Sequence, residues 1–180
     1  MTGLKRGIVK LELHQTEWEE NARKTIELLH NIFGATAVDI QHIGSTAIKH
    51  IHAKPIIDIA VGVKKLDEIA PYIAVLNENG IIFRGEDVKN QLLFVIGDFS
   101  LDTRTHHIHI VKYKDKAWDN YINFRDYLNA FEIKAQEYDL LKLDLSAKHP
   151  NDRNTYTSRK QELIDKLLIE AALWRNEQRT

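Results

Sequence analysis

Four places in this sequence carry side chains that could do chemistry. Gly44-Ser45 falls between a run that reads as a strand and a short helix or turn. Glycine lets backbone amides approach a ligand closely, and a helix N-terminus favours anions. Taken alone, the pair is also what an ordinary turn looks like. Asp58 interrupts the apolar run Ile56-Ile57-Asp58-Ile59-Ala60-Val61-Gly62-Val63 and faces away from Ile57, Ile59 and Val61. A carboxylate there must be solvated, paired or metal-bound, because burying it alone is costly. An ion pair with Lys54 or Arg84 and a functional role are both open. His107 and His109 point the same way from another strand-like run, which suits a metal or a phosphate, or simply a solvated strand face. His42 adds a third imidazole beside the Gly44 loop, whereas His30, His50 and His52 read as surface residues.

These groups need elements to hold them. Alternating apolar positions predict strands at 7–13, 35–43, 56–63, 81–84, 91–99 and 106–112. Trp18, Ala22, Ile26, Leu29 and Phe33 have helical spacing, with Thr16 and Glu19 as a capping box and Gly34 as the stop. A helix is expected over 66–79 despite Pro71, ended by Gly80. From Trp118 onward the chain reads as helical, with one stripe of Leu128, Phe131, Ala135, Tyr138 and Leu141 and another over 161–174. His149-Pro150-Asn151-Asp152 breaks between them. The order implies an α/β (α+β) fold, a mixed sheet flanked by helices with a C-terminal helical segment. Residues 1–115 form the core and 116–180 a helical cap, read together as one domain.

The 25 basic and 26 acidic residues leave a formal charge of −1, so there is no field to attract nucleic acid or a membrane surface. With no cysteine, disulfides and thiolate metal sites are excluded, and His and carboxylates remain as ligands. No window holds the ~20 apolar residues of a membrane helix, and the first residues do not read as a signal peptide. A cytoplasmic protein is expected. The sequence carries no signal for an oligomeric state.

The runs His42-Ile43-Gly44-Ser45-Thr46-Ala47 and Lys54-Pro55-Ile56-Ile57-Asp58-Ile59 together resemble the signature of the GrpB family. Val9-Lys10-Leu11 leading to Trp18 is similar to that family's opening, and Arg104-Thr105-His106-His107-Ile108-His109 to its Arg-plus-His strand. Phe124-Arg125-Asp126-Tyr127-Leu128 and Tyr156 followed by Lys160 are similar to its later motifs. The resemblance implies a nucleotidyltransferase-like fold. In that superfamily a Gly-Ser turn cradles phosphate, and paired acids in the pattern Asp-apolar-Asp/Glu hold Mg²⁺ on the next strand.

Asp58 matches the first acid, but Ala60 stands at the second, and His107 and His109 appear where a neighbouring strand would supply a third. Imidazole suits Zn²⁺, Mn²⁺ or Fe²⁺ better than Mg²⁺. The resemblance therefore implies a divalent metal (Mg²⁺, Mn²⁺ or Zn²⁺) on Asp58, His107, His109 and His42. It implies a nucleotide or phosphorylated small molecule on Gly44, Ser45, Thr46, Lys54, Arg104, Tyr156 and Lys160. Asp58 would be the catalytic residue of a nucleotidyl transfer. A catalytically inactive anion-binding module and a metal-dependent phosphohydrolase are the alternatives that Ala60 favours.

Overall fold

The computed structural model describes residues 2–178. In chain order its elements are β1 (Leu4–Lys5), β2 (Glu12–Leu13), α1 (Thr16–Phe33), β3 (Ala37–Ile43), β4 (His52–Ala53), β5 (Ile57–Val63), α2 (Ile73–Glu78), β6 (Ile82–Val88), β7 (Gln91–Ile96), β8 (Thr103–Arg104), β9 (His106–Lys112), α3 (Lys116–Ala130), α4 (Glu132–Lys148) and α5 (Arg153–Glu177). Short 3-10 segments lie at Gly34–Thr36, Ser45–Ala47 and Leu66–Tyr72. Five strands make one mixed sheet in the order β3-β5-β9-β7-β6, in which β5 and β9 run parallel and the other neighbours antiparallel.

Strand β5, inside the sheet between β3 and β9, is buried along its length except at Asp58. Ile57, Ile59, Val61 and Val63 pack against Trp18, Ala22, Leu29 and Phe33 of α1. Burying each of the larger side chains contributes ~1.5–3 kcal/mol. On the opposite face Ile43, Ala60 and Val111 meet Trp118 of α3. A Cβ on Gly62 would stand 2.8 Å from the Tyr113 ring and 2.9 Å from Trp118, so a larger residue at position 62 would clash beneath that helix. Ala60 lies in the same buried layer, in register with His109 of β9. Helices α3, α4 and α5 share a core with Ile48 and Ile51, built from Tyr127, Leu128, Ala135, Tyr138, Leu167 and Ala171. Among the described residues no helix is long and apolar enough to cross a membrane.

Several sequence expectations are corrected. Residues 7–11 are not a strand. Gly7 turns the chain at φ +88, and the Val9 amide donates to Pro150 O at 2.8 Å. Val9 then packs with Leu145 and Tyr156, so this apolar run ties down the C-terminal helices instead of joining the sheet. The capping box is not formed: Gln15 occupies the cap position of α1 with no capping bond from its side chain, which donates to Glu12 Oε2 at 3.1 Å, and Glu19 lies 3.4 Å from His14 Nε2. Pro71 splits the expected 66–79 helix into a 3-10 segment and α2, as its missing N–H requires. Strand β6 runs beyond Arg84 to Val88. Strand β7 ends at Ile96, short of the turn where Asp98 Oδ1 accepts from the Ser100 and Leu101 amides. The stripe through Leu128 and Ala135 spans two helices, which break at the exposed Phe131.

Candidate functional site

The parallel pairing of β5 with β9 sets Asp58 opposite His107 and Ala60 opposite His109. Alternate residues share a sheet face, so Asp58, His107 and His109 project together. His107 Nδ1–H donates to Asp58 Oδ1 at 3.2 Å, and His109 Nε2 lies 3.7 Å from the same oxygen. From β7, Gln91 Nε2–H donates to His109 Nδ1 at 3.2 Å, and the Tyr121 hydroxyl donates to Gln91 Oε1 at 2.6 Å. That chain leaves the Nε2 proton of a neutral His109 facing Asp58. Burial opposes ionisation of Asp58, but the two imidazoles outweigh it and hold the carboxyl well below the usual carboxylate range. One ligand atom from each of the three residues lies within 4.8 Å of the others, and the set could hold a metal ion. Two imidazoles and one carboxylate are the donor types of transition-metal sites that keep open positions for substrate.

Gly44 closes the loop over this carboxylate. It sits at φ +70 and ψ −171, a conformation open essentially to glycine. A Cβ there would stand 2.5 Å from Asp58 Oδ2 and 2.9 Å from Asp58 Cβ. The 3-10 turn Ser45–Ala47 follows, with Ser45 Oγ 3.4 Å from the Tyr138 hydroxyl. Burial raises Tyr138 to about 12, so it remains a neutral hydroxyl.

Three helices and a loop complete a cleft of about 240 Å³ above Asp58. Helix α5, capped by Asp152 accepting from Thr155 N at 3.0 Å, presents Arg153, Tyr156, Thr157 and Lys160 from its first two turns. Helix α4 presents Tyr138 and Lys142, α3 presents Phe124, and the segment before β5 presents Lys54. Two ammonium groups lie over the Tyr156 ring, Lys54 Nζ at 5.2 Å and Lys160 Nζ at 4.5 Å from its centroid. Against four cations the lining residues offer one carboxylate, Asp58. The crowding of positive charge is visible in the amines. Burial first, then Lys160 and Arg153, lower Lys54 to about 8, and burial lowers Lys160 to about 8 despite Asp58. Burial likewise lowers Lys142 to about 7, although Asp139 opposes the shift. A larger and shallower depression of about 1070 Å³ shares Arg153 and Thr157 but holds none of the Asp58 set.

Two expected site residues lie elsewhere. His42 pairs with Ile59 across β3 and β5, so it projects from the Ile59 face, opposite Asp58. Its Nε2 lies 2.9 Å from Thr46 Oγ1, and burial lowers the ring to about 4. The register therefore separates His42 from the candidate metal set. Arg104 is buried away from the cleft, donating to Thr103 O at 2.8 Å, 3.4 Å from Asp102 and lying over Phe99. His52, read as a surface residue, is half-buried. Its amide and ring Nδ1 both donate to Asp139, at 2.7 and 2.8 Å, and its carbonyl accepts from Lys142. Sequence reasoning missed Lys142, Arg153, Tyr138 and Phe124 as lining residues. For Lys142 a signal existed, since a charge at the i+4 position from Tyr138 interrupts an apolar helix face.

A family model described as GrpB protein matches residues 8–170. The chain belongs to the GrpB family. It is 39% identical over 173 residues to the Glutamate-rich protein GrpB of Alkalihalophilus pseudofirmus, covering 94% of this chain and 99% of that protein. It is 33% identical over 168 residues to the UPF0157 protein YqkA of Bacillus subtilis, covering 93% of this chain but 48% of that longer protein. The crystal structure of conserved protein GrpB from Enterococcus faecalis matches with a TM-score of 0.80 at 25% identity, covering 89% of this chain and 98% of that one. The Cid1 poly(U) polymerase with MgGTP bound matches with a TM-score of 0.52 at 14% identity, covering 76% of this chain and 44% of that one. The fold of this family member is thus nucleotidyltransferase-like, while its chemistry has to be argued from its own site.

Proposed function

We propose that the cleft binds a nucleotide or another phosphorylated small molecule next to a divalent metal held by Asp58, His107 and His109. The observation that carries this reading is the convergence of Lys54, Lys142, Arg153 and Lys160 on a cleft whose lining holds one carboxylate. Lys142 is matched by Asp139 at 3.4 Å, but Lys54, Arg153 and Lys160 are half-buried cations with no acid other than Asp58 in the lining, a cost that a ligand's negative charge would offset. The Gly44 turn would present backbone amides to the same ligand. The donor set fits a metal of the Zn²⁺, Mn²⁺ or Fe²⁺ type better than Mg²⁺, which prefers an all-oxygen octahedron. Such an ion, when bound, supplies Lewis-acid polarisation of a phosphoryl oxygen.

Position 60 is a fully buried alanine in the layer under Trp118, so this strand lacks the second acid of the paired-acid pattern. This favours a binding module or a metal-dependent phosphohydrolase over ordinary two-Mg²⁺ nucleotidyl transfer. Calorimetric titration of Mn²⁺, Zn²⁺ and Mg²⁺ into the parent and the His107→Ala/His109→Ala double variant tests the metal part. The parent should bind Mn²⁺ or Zn²⁺ at least tenfold more tightly than Mg²⁺, and the variant should lose that preference. Equal binding by both proteins sinks the assignment.

A further inference from the structure

A second cavity meets the cleft at the loop over Asp58. It encloses about 500 Å³ and shares Gly44 and Phe124 with the cationic cleft. Its apolar walls come from α3 and α5, through Ala117, Tyr121, Phe124, Ile164 and Leu168, with Val88 at the end of β6. Gln91, which holds His109, also lines it, whereas His107 lines the cationic cleft. The Asp58 cluster therefore stands on the border between a cationic compartment and an apolar one. The sizes agree with a divided ligand. The cleft's about 240 Å³ is below the ~300–1,000 Å³ usual for ligand pockets, and the neighbour's about 500 Å³ is within it. A phosphate group fits the first compartment. An uncharged body must fill the second, because a charge set against Phe124, Ile164 and Leu168 would lose water without gaining a partner.

We propose that the ligand is a phosphate ester with an aromatic or apolar body. Its phosphate lies among Lys54, Arg153 and Lys160, its body between Phe124 and Leu168, and its ester linkage over Gly44 and Asp58. The inference rests on the anion-binding reading of the cleft. It makes Phe124 and Leu168 specificity-determining residues, and it disfavours sugar phosphates and inorganic polyphosphates, whose polar bodies would not fill the second cavity.

Calorimetric titration with inorganic phosphate, ribose 5-phosphate, phenyl phosphate and adenosine monophosphate tests it. Phenyl phosphate and adenosine monophosphate should each bind on the order of tenfold more tightly than ribose 5-phosphate, the gain expected from burying one ring. Leu168→Gln should remove that advantage while leaving affinity for inorganic phosphate within about twofold. Val88→Asn offers the same test at a position that is 56% exposed and outside the core. If inorganic phosphate binds but neither ring-bearing ester gains over ribose 5-phosphate, the apolar compartment is not part of the ligand site. If no probe binds at all, the anion reading falls and this inference falls with it.

Discussion

Replacing Gly44 by alanine should separate loop geometry from fold stability. Two costs are visible. The backbone at φ +70 and ψ −171 is a region that side-chain-bearing residues pay ~1–3 kcal/mol to occupy. In addition, the new methyl would stand 2.5 Å from Asp58 Oδ2 and 2.9 Å from Asp58 Cβ, inside any normal contact. The loop or the carboxylate must therefore move by several tenths of an ångström. Gly80→Ala supplies the control, because Gly80 also has a positive φ of +74 but a Cβ there meets nothing within 4 Å. Urea unfolding should show Gly80→Ala destabilised by about 1–3 kcal/mol from backbone strain alone, and Gly44→Ala by more, because it adds the clash with Asp58. Mn²⁺ and phosphate titrations should then divide them. Gly44→Ala should lose on the order of tenfold or more in affinity for both, and Gly80→Ala should match the parent. Gly44→Ala binding both ions within twofold of the parent would refute the idea that this glycine exists to bring the loop onto Asp58.

Two predictions concern pH. Sulfate does not titrate near neutrality, so its affinity reports the cleft amines directly. Lys54 and Lys160 at about 8 and Lys142 at about 7 lose charge as pH rises from 7 to 9, and sulfate binding should weaken on the order of tenfold across that window. The ligand-free protein should show the opposite trend. Folded-state amines depressed below 10.5 bind fewer protons than the unfolded chain, so the destabilisation is fully present at lower pH and relieved as pH rises. Flat profiles for both quantities would contradict the cation cluster. His42, held neutral by burial at about 4 instead of 6.5, contributes a stability loss that is absent above pH 6.5 and grows as pH falls towards 4. Between pH 7 and 4.5, His42→Gln should lose about 2 kcal/mol less stability than the parent in urea titrations, and an equal loss would rule out the mechanism.

Much of the site was legible in the sequence because strand parity is a strict rule. Asp58 interrupting an apolar run, and His107 and His109 two residues apart, fixed which face each side chain would take. The parallel register that sets Asp58 against His107 was not legible, since it depends on how β5 and β9 meet in space. His42 shows the limit of proximity in sequence: it stands two residues before Gly44, yet its pairing with Ile59 sends it to the other face. The cations of α4 and α5 come from far along the chain, and only helix packing brings Lys142 and Arg153 over β5. Local signals failed where a tertiary contact overrode them, as when Val9 left the sheet to pack on Leu145 and Tyr156.

The central claim is that the cations above Asp58 form an anion site. Calorimetric titration of inorganic phosphate at pH 6.5 into the parent and the Lys54→Met/Lys160→Met variant tests it most directly. Each charge-assisted hydrogen bond is worth ~1.5–3 kcal/mol, so the parent should bind phosphate and the variant should lose at least tenfold in affinity while unfolding at a similar urea concentration. No phosphate binding by the parent, or undiminished binding by the variant, would contradict the account.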